Sequence, residues 1–343
     1  RGKILEQYRY LNEYCLVSID GTGCFSSKEI HCESCCEKHH RDGTVTYYHQ
    51  MLAAVMVHPS YSTVFPLMLE PIKKQDGKIK NDCEHNAVKR LLENLRASHP
   101  YLKMVLVLDG LYADGSIIKL LKRLKFPFII TAKEDDLKYL FEFHATSKQK
   151  EIITVINQKE ERYIFSKNLP LNDTHHDIEV NVLEYFNKSD KGNKYFCWIT
   201  DLDLNEKTVG LIAKGGRARW KIENETFNTL KNQGYQFEHN FGHGYKNLST
   251  VFAYLMFQAF LIDQIQQFCC KYFKAALAKC TGRTHLWQKI RGLFFHYFVE
   301  TWEDLYTVII SNLGSRLKDL INPTFRNKLT NKISNKIPPS NLV

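Results

Sequence analysis

An α/β protein built on a mixed sheet flanked by helices is predicted by three features of the sequence. Two uninterrupted apolar runs, Tyr14 to Ile19 and Met104 to Leu108, are bounded by turn residues, the pattern of strands buried on both faces. Segments of helical periodicity lie between such runs, as in Asp82 to Ala97, where Ala87, Val88, Leu91, Leu92 and Leu95 fall on one face. Between about 133 and 208, short strand-like stretches alternate with Asn, Asp, Lys and Gly clusters, which predicts a β-rich insertion.

Taken in order, Arg1 to Glu13 reads as a polar lead-in, and because the chain opens at Arg1 without an initiator Met, a missing upstream segment is expected. The first strand, Tyr14 to Ile19, is closed by Asp20 and followed by Gly21-Thr22-Gly23. A Cys/His-rich turn comes next, then two strand-like stretches, Val45 to Val57 and Thr63 to Leu69, joined by His58-Pro59-Ser60. The helix from Asp82 ends near His99-Pro100, the strand Met104 to Leu108 is closed by Asp109, Ser116 to Lys125 forms a second amphipathic helix, and Phe126 to Thr131 a further strand. In the insertion, Ile152 to Ile156, Arg162 to Phe165, Ile178 to Phe186 and Tyr195 to Thr200 read as strands. Beyond it, Arg219 to Phe227 carries an imperfect helical stripe of Trp220, Ile222, Phe227 and Leu230, and helical spacing resumes from Asn247 through Asn312, broken at Thr281-Gly282. The end is a polar tail containing Pro338-Pro339, and no internal repeat is evident.

The order β-β-β-α-β-α-β, with acids closing the first and fourth strands and a third acid on a later helix, is the layout of the ribonuclease H-like fold. Four parts are expected: residues 1–132 as the first part of the catalytic core, 133–208 as the insertion, 209–265 as the second part with the Glu-bearing helix, and 266–343 as a helical C-terminal region with a tail. A fold does not give a function. Composition narrows the classes: 44% hydrophobic and 24% charged residues describe an ordered globular chain, and a formal charge of +10 favours a polyanionic partner. Ten scattered cysteines in a chain of this size suggest reduced thiols in a cytoplasmic setting. The run Val251 to Ile262 contains Gln258 and is too short to cross a bilayer, so a buried core helix is expected there.

Asp20, Asp109 and Glu223 together read as an acidic triad. Phosphodiester chemistry needs a nucleophile activated and a leaving oxygen stabilised, which two divalent cations roughly 4 Å apart achieve. Hard carboxylate oxygens suit Mg²⁺ or Mn²⁺. Strand-end Asp residues also cap turns, and Asp201, Asp203, Asp114, Glu70 and Glu225 compete for the same role.

Three motifs carry a family resemblance: Asp20-Gly21-Thr22-Gly23, Asp109-Gly110-Leu111-Tyr112, and Arg219-Trp220-Lys221-Ile222-Glu223 followed by Phe227 and Leu230-Lys231. In combination they resemble the DDE transposases of bacterial insertion sequences, in the branch with a Tyr, Arg, Glu, Lys signature and a β-rich insertion. Gly216 stands where the signature's Tyr would fall, and Lys231 lies one residue beyond the expected gap. The resemblance implies that Asp20, Asp109 and Glu223 are the catalytic acids and hold two Mg²⁺ or Mn²⁺ ions, and that Arg219 and Lys231 contact DNA phosphates. It also implies cleavage at element ends and strand transfer into target DNA by paired protomers, a homodimer on DNA at the nucleoid. Two rivals share these residues: a ribonuclease H-like nuclease without strand transfer, and an inactive DNA-binding remnant.

Two further segments carry chemistry. In His31 to Arg41, the Cys-x2-Cys spacing with nearby histidines offers Cys32, Cys35, Cys36, His39 and His40 as zinc ligands, with Cys24 or His49 as a fourth, against buried thiols in a turn or Lys38 and Arg41 contacting DNA. Lys214 to Lys221 is basic, Gly-containing and aromatic, so Arg217, Arg219, Trp220 and Lys221 are candidates to grip phosphates and stack on a base, against an ordinary solvated helix start. Glu238 to Tyr245, with His239 and His243, reads as a tight turn between helices in which the histidines stabilise the loop, against a catalytic or metal role.

Overall fold

The computed structural model describes residues 3–73, 84–156, 159–189, 192–243 and 246–311, so the Pro338-Pro339 tail lies outside the described residues. The chain divides into two compact units, Arg1–Phe227 with Glu238–Leu255, and Asn228–Phe237 with Met256–Val343.

The first unit opens with a short helix α1 (Lys3–Gln7) and strands β1 (Arg9–Tyr10), β2 (Tyr14–Ser27), β3 (Cys36–His39), β4 (Val45–His58) and β5 (Tyr61–Ile72). Helix α2 (Glu84–Ser98), β6 (Met104–Leu108), α3 (Gly115–Arg123) and β7 (Phe128–Thr131) complete the predicted order. The insertion supplies α4 (Lys138–Thr146), β8 (Lys150–Ile156), β9 (Lys159–Pro170), β10 (Glu179–Ser189) and β11 (Gly192–Thr200), after which α5 (Val209–Arg217) begins the Glu-bearing segment. Among the described residues, eleven strands form one mixed sheet in the order β3-β4-β2-β6-β7-β11-β10-β9-β8, with β5 on β4 and β1 on β2. Among the described strands, β2–β6 and β6–β7 run parallel, and these central strands are the near-continuous Val/Leu/Ile runs seen in the sequence. The ribonuclease H-like mixed sheet flanked by helices is thus the observed fold.

The insertion continues this sheet: Trp198, Ile199 and Thr200 of β11 pair antiparallel with Thr131, Ile130 and Ile129 of β7, and a meander runs outward from there. Below the sheet, α2 buries Ala87, Val88, Leu91, Leu92 and Leu95 against Val17, Ile19, Leu52 and Ala54. Each of its three leucines contributes about 2 kcal/mol by leaving water. Helix α3 starts where the Asp114 carboxylate accepts from the Ser116 and Ile117 amides.

Two local expectations change. Asp20 does not end its strand: β2 runs on to Ser27, paired throughout with β4, because the long partner strand satisfies the backbone of Gly21-Thr22-Gly23. What ends near Asp20 is the other ladder, since β6 pairs only Cys15 to Ser18. The Cys/His-rich turn also contains the strand β3, joined to β4 through a tight turn at His40 to Thr44.

The second unit contains α6 (Asn228–Asn232), the C-terminal part of α7 (Leu248–Cys269), α8 (Lys271–Ala278), α9 (Arg283–His296) and α10 (Trp302–Ser311). Tyr272, Phe273, Ala276, Leu286, Ile290, Leu305, Tyr306 and Ile309 form its core. Helix α7 contains the run Val251 to Ile262 and buries Ala253, Phe257 and Phe260 of it. It is 22 residues long, apolar enough by length and composition to cross a membrane, and it exposes Val251, Tyr254, Leu255, Ile262 and Ile265 instead of burying them all.

Candidate active site

Sheet register brings the first two acids together. Ser18 of β2 is the parallel partner of Val107 of β6, so two residues on, Asp20 and Asp109 stand at the same level on strands roughly 5 Å apart, on the face that Ser18 and Val107 share. Each carboxylate is held by the turn that follows it: the Gly21 amide donates to Asp20 Oδ1 at 2.8 Å, and the Gly110 amide to Asp109 Oδ1 at 2.7 Å. On that face Ser18 Oγ donates to the backbone carbonyl of Arg219 at 3.3 Å, which fixes the Glu-bearing segment against β2.

Here the helix is irregular. After α5, Ala218–Trp220 tightens into a 3-10 turn and Ile222–Phe227 widens into a π-turn, which is why the apolar stripe looked imperfect. The change of pitch turns Arg219 and Glu223 toward Asp20. Arg219 Nη1 donates to Asp20 Oδ2 at 3.2 Å and to Glu223 Oε1 at 3.0 Å, and its guanidinium is buried. Burial pushes the Asp20 carboxyl up to about 6, opposed by the Gly21 amide and Arg219 and reinforced by the neighbouring Glu223 carboxylate.

Glu84, not singled out by the sequence, is a fourth carboxylate near enough for its charge to interact with those of Asp109 and Tyr112. It opens α2, Gln50 Nε2 donates to its Oε1 at 2.6 Å, and a Cβ added to Gly21 would lie 2.5 Å from that oxygen. Burial, and then the charge of Asp109, raise its pKa, with the Gln50 bond opposing. Tyr112 marks the centre. Burial raises its phenol, the charges of Glu84, Asp20 and Asp109 add to the rise, Arg219 opposes it, and its buried hydroxyl has no hydrogen-bond partner among the described residues. The Arg219 guanidinium thus pairs with Asp20 and Glu223, while the charges of Asp20, Asp109 and Glu84 act on the unsatisfied Tyr112 hydroxyl, an excess of negative charge that oxygen-seeking divalent cations would neutralise. The donor set fits Mg²⁺ or Mn²⁺.

The competing acids have other partners. Asp201 accepts from the Phe128 amide at 2.9 Å, Asp203 pairs with Lys167 at 2.6 Å, Asp114 caps α3, and Glu70 pairs with Arg90 at 2.7 Å. Glu225 lies in the π-turn two residues beyond Glu223.

The basic candidates are spread out. Lys38 and Arg41 are exposed near the β3–β4 turn, the Lys221 ammonium donates to the Tyr61 carbonyl, and Arg217 lies over the Phe196 ring at 5.6 Å. Trp220 is half exposed with the Arg219 guanidinium 4.9 Å from its ring centre, and Lys231 belongs to α6 of the second unit. The glycines before Arg217 are not flexible. Gly215 and Gly216 are buried in the last turns of α5, and a Cβ on Gly216 would lie 2.5 Å from Trp198 Cε2, so no side chain, least of all a Tyr, fits there.

The Cys/His block resolves differently from its sequence reading. Cys32 and Cys35 meet His49 of β4 and His243, whereas Cys36, His39 and His40 are excluded from that cluster. Strand alternation sends Cys36 to the opposite face, where its thiol donates to the Ile72 carbonyl at 3.5 Å, while His39 pairs with Glu37 at 3.2 Å and His40 with Thr46 at 2.8 Å. Cys24 is likewise not among the four.

With this geometry in hand, comparison with known proteins gives one decisive match: residues 27–261 fit the family described as transposase DDE domain, more than half of the chain. The chain belongs to the transposase DDE domain family. The matched stretch contains Asp109 and Glu223 and begins seven residues after Asp20. No curated protein matches this transposase domain. Among solved structures it matches the Drosophila P element transposase strand transfer complex at 12% identity with a TM-score of 0.17, covering 94% of this chain and 66% of that one. This chain therefore spans just under two thirds of that protein's length.

Proposed function

We propose that the protein is a DNA transposase that cuts a strand at the ends of its element and joins the freed end to target DNA, in the manner of the bacterial insertion-sequence branch with the Arg, Glu and Lys of its signature at Arg219, Glu223 and Lys231. The observation that carries this reading is that Asp20 stands level with Asp109 on the neighbouring strand while Arg219 joins Asp20 to Glu223. Asp20, Asp109 and Glu223 would hold two Mg²⁺ or Mn²⁺ ions, with Glu84 as a fourth oxygen donor. When bound, these cations activate the attacking oxygen and neutralise charge on the leaving one.

The rest falls to the chain's own side chains. Arg219 keeps the Asp20 and Glu223 carboxylates together and limits their repulsion. Gly21 and Gly110 orient the two Asp residues through their amides and leave one oxygen of each for other partners. Trp220, with half its surface exposed beside Arg219, presents a ring on which an unpaired base stacks. Lys38, Arg41, Arg217, Lys221 and Lys231 supply phosphate contacts, whose summed charge makes DNA binding steeply salt-dependent. Residues 133–208 serve as an insertion between the second and third acids, and two protomers pair two element ends at the nucleoid in the cytoplasm.

The test is an assay of the full chain on a supercoiled plasmid carrying the element ends, with Mg²⁺ and a target plasmid. Joined products that disappear with Asp109→Asn support the reading. Cleavage without joining would make the protein a nuclease, and metal-independent binding alone would make it an inactive remnant.

A further inference from the structure

We propose that Cys32, Cys35, His49 and His243 form a structural zinc site. Two of these ligands come from the turn between β2 and β3, one from β4, and the fourth from the loop that precedes α7, more than 190 residues away in sequence.

The geometry is that of a tetrahedron. Zn–S and Zn–N bonds of about 2.3 and 2.05 Å at tetrahedral angles require sulfur–sulfur separations of about 3.8 Å and sulfur–nitrogen separations of about 3.6 Å. The Cys32 and Cys35 sulfurs are 3.8 Å apart, His49 Nε2 lies 3.5 Å from Cys32 Sγ and 3.4 Å from Cys35 Sγ, and His243 Nδ1 lies 3.8 Å from Cys35 Sγ. All four ligand atoms lie within 4.8 Å of one another. Two thiolates and two imidazoles are a closed donor set for zinc, with no position left for a substrate.

The surroundings agree. Cys35, His49 and His243 are buried, and Cys35 is held in place because its amide donates to the Cys32 carbonyl at 3.0 Å, the tight turn of a Cys-x2-Cys ligand pair. Phe25 packs against both imidazoles, with ring centres 5.4 Å from His49 and 4.6 Å from His243, and shields the cluster on that side. His243 Nε2 is buried without a hydrogen-bond partner among the described residues, so the sulfur opposite Nδ1 is what this ring faces.

The site has a purpose in the fold. His49 and Ala53 point to the same face of β4, and Ala53 is the cross-strand partner of Asp20, so the zinc stands roughly 13 Å along the strand from the acids. It pins the loop around Phe241 to His243, which follows the Glu-bearing segment in the chain, to the strand that pairs with Asp20. Closing so long a loop is where a metal clip contributes most. The site is independent of the acids, and Asp109→Asn protein keeps its zinc whether or not the proposed strand transfer is observed.

The experiment is metal analysis of the full chain, expressed with zinc in the medium and purified without added metal, together with zinc X-ray absorption spectroscopy. About one zinc per chain is expected, with a shell of two sulfurs and two nitrogens. His243→Gln and Cys32→Ser should each lower zinc content at least about fivefold, while Cys36→Ser and His39→Gln leave it unchanged. If those two variants fail to fold, the wild-type shell decides, and a shell of any other composition overturns the site. So does wild-type protein that carries iron or no metal, or a disulfide joining Cys32 to Cys35.

Discussion

Arg219 reaches Asp20 across 199 positions of sequence, its Nη1 3.2 Å from the carboxylate Oδ2, and the same nitrogen holds Glu223 at 3.0 Å. One cation therefore stands between two acids from opposite ends of the first unit. Removing it leaves two partly buried carboxylates facing each other. Arg219→Gln is expected to cost about 2–3 kcal/mol in buffer without Mg²⁺ or Mn²⁺, and millimolar Mn²⁺ should restore part of the loss. Thermal melts with and without Mn²⁺ check this; an unchanged melting temperature would show the bridge to be inert.

The Asp20 carboxyl is pushed up to about 6 from an ordinary value of 3.8. Because the folded-state value is raised, its contribution to stability is fully present below about pH 4 and is lost as pH rises through about 6. Asp20→Asn removes that loss. In Mg²⁺-free buffer the variant should exceed wild type by about 1–2 kcal/mol at pH 7.5, less than the shift alone implies because the Arg219 bond weakens, and the gap should shrink toward pH 4. Paired denaturation curves across that range measure the gap, and one that is flat with pH contradicts the assignment.

The two glycines of α5 differ in what they touch. A methyl group on Gly216 meets the Trp198 ring at 2.5 Å, whereas on Gly215 it meets the ends of the Ile129 and Leu16 side chains at 3.3 and 3.5 Å. Gly216→Ala is expected to lose about 2 kcal/mol and to shift Trp198 fluorescence. Gly215→Ala should be close to neutral, since helix propensity offsets mild crowding. Equal effects of the two would mean that Trp198 yields easily.

Much of this site can be read from the sequence, for identifiable reasons. Asp109 follows a five-residue run in which every side chain is buried, so the apolar signal ends where the strand does. Glu223 lies on a segment whose broken periodicity is itself the trace of the π-turn. Glu84 leaves no such trace, because an acid in the first turn of a helix is ordinary and only the position of α2 under Gly21 gives it a role. His243 is open to a metal role from the sequence, but its partners Cys32, Cys35 and His49 are brought to it by folding and not by spacing. The glycines after Asp20 read as a turn because their strand is specified by β4 and not by their own propensity.

Glu84 also separates a fourth oxygen donor from a bystander. Glu84→Gln keeps a partner for Gln50 and removes the charge beside Asp109. Mn²⁺ affinity, read by titration calorimetry, should fall about tenfold. Unaltered affinity would confine Glu84 to packing against Gly21.

The most direct measurement is anomalous diffraction at the manganese edge from a Mn²⁺-soaked crystal of the full chain. Manganese bound among Asp20, Asp109 and Glu223 is the predicted result, with Glu84 beside it. Manganese absent from these carboxylates, in crystals whose sheet is ordered and whose soak is at millimolar concentration, would contradict the acidic site and with it the phosphoryl-transfer account.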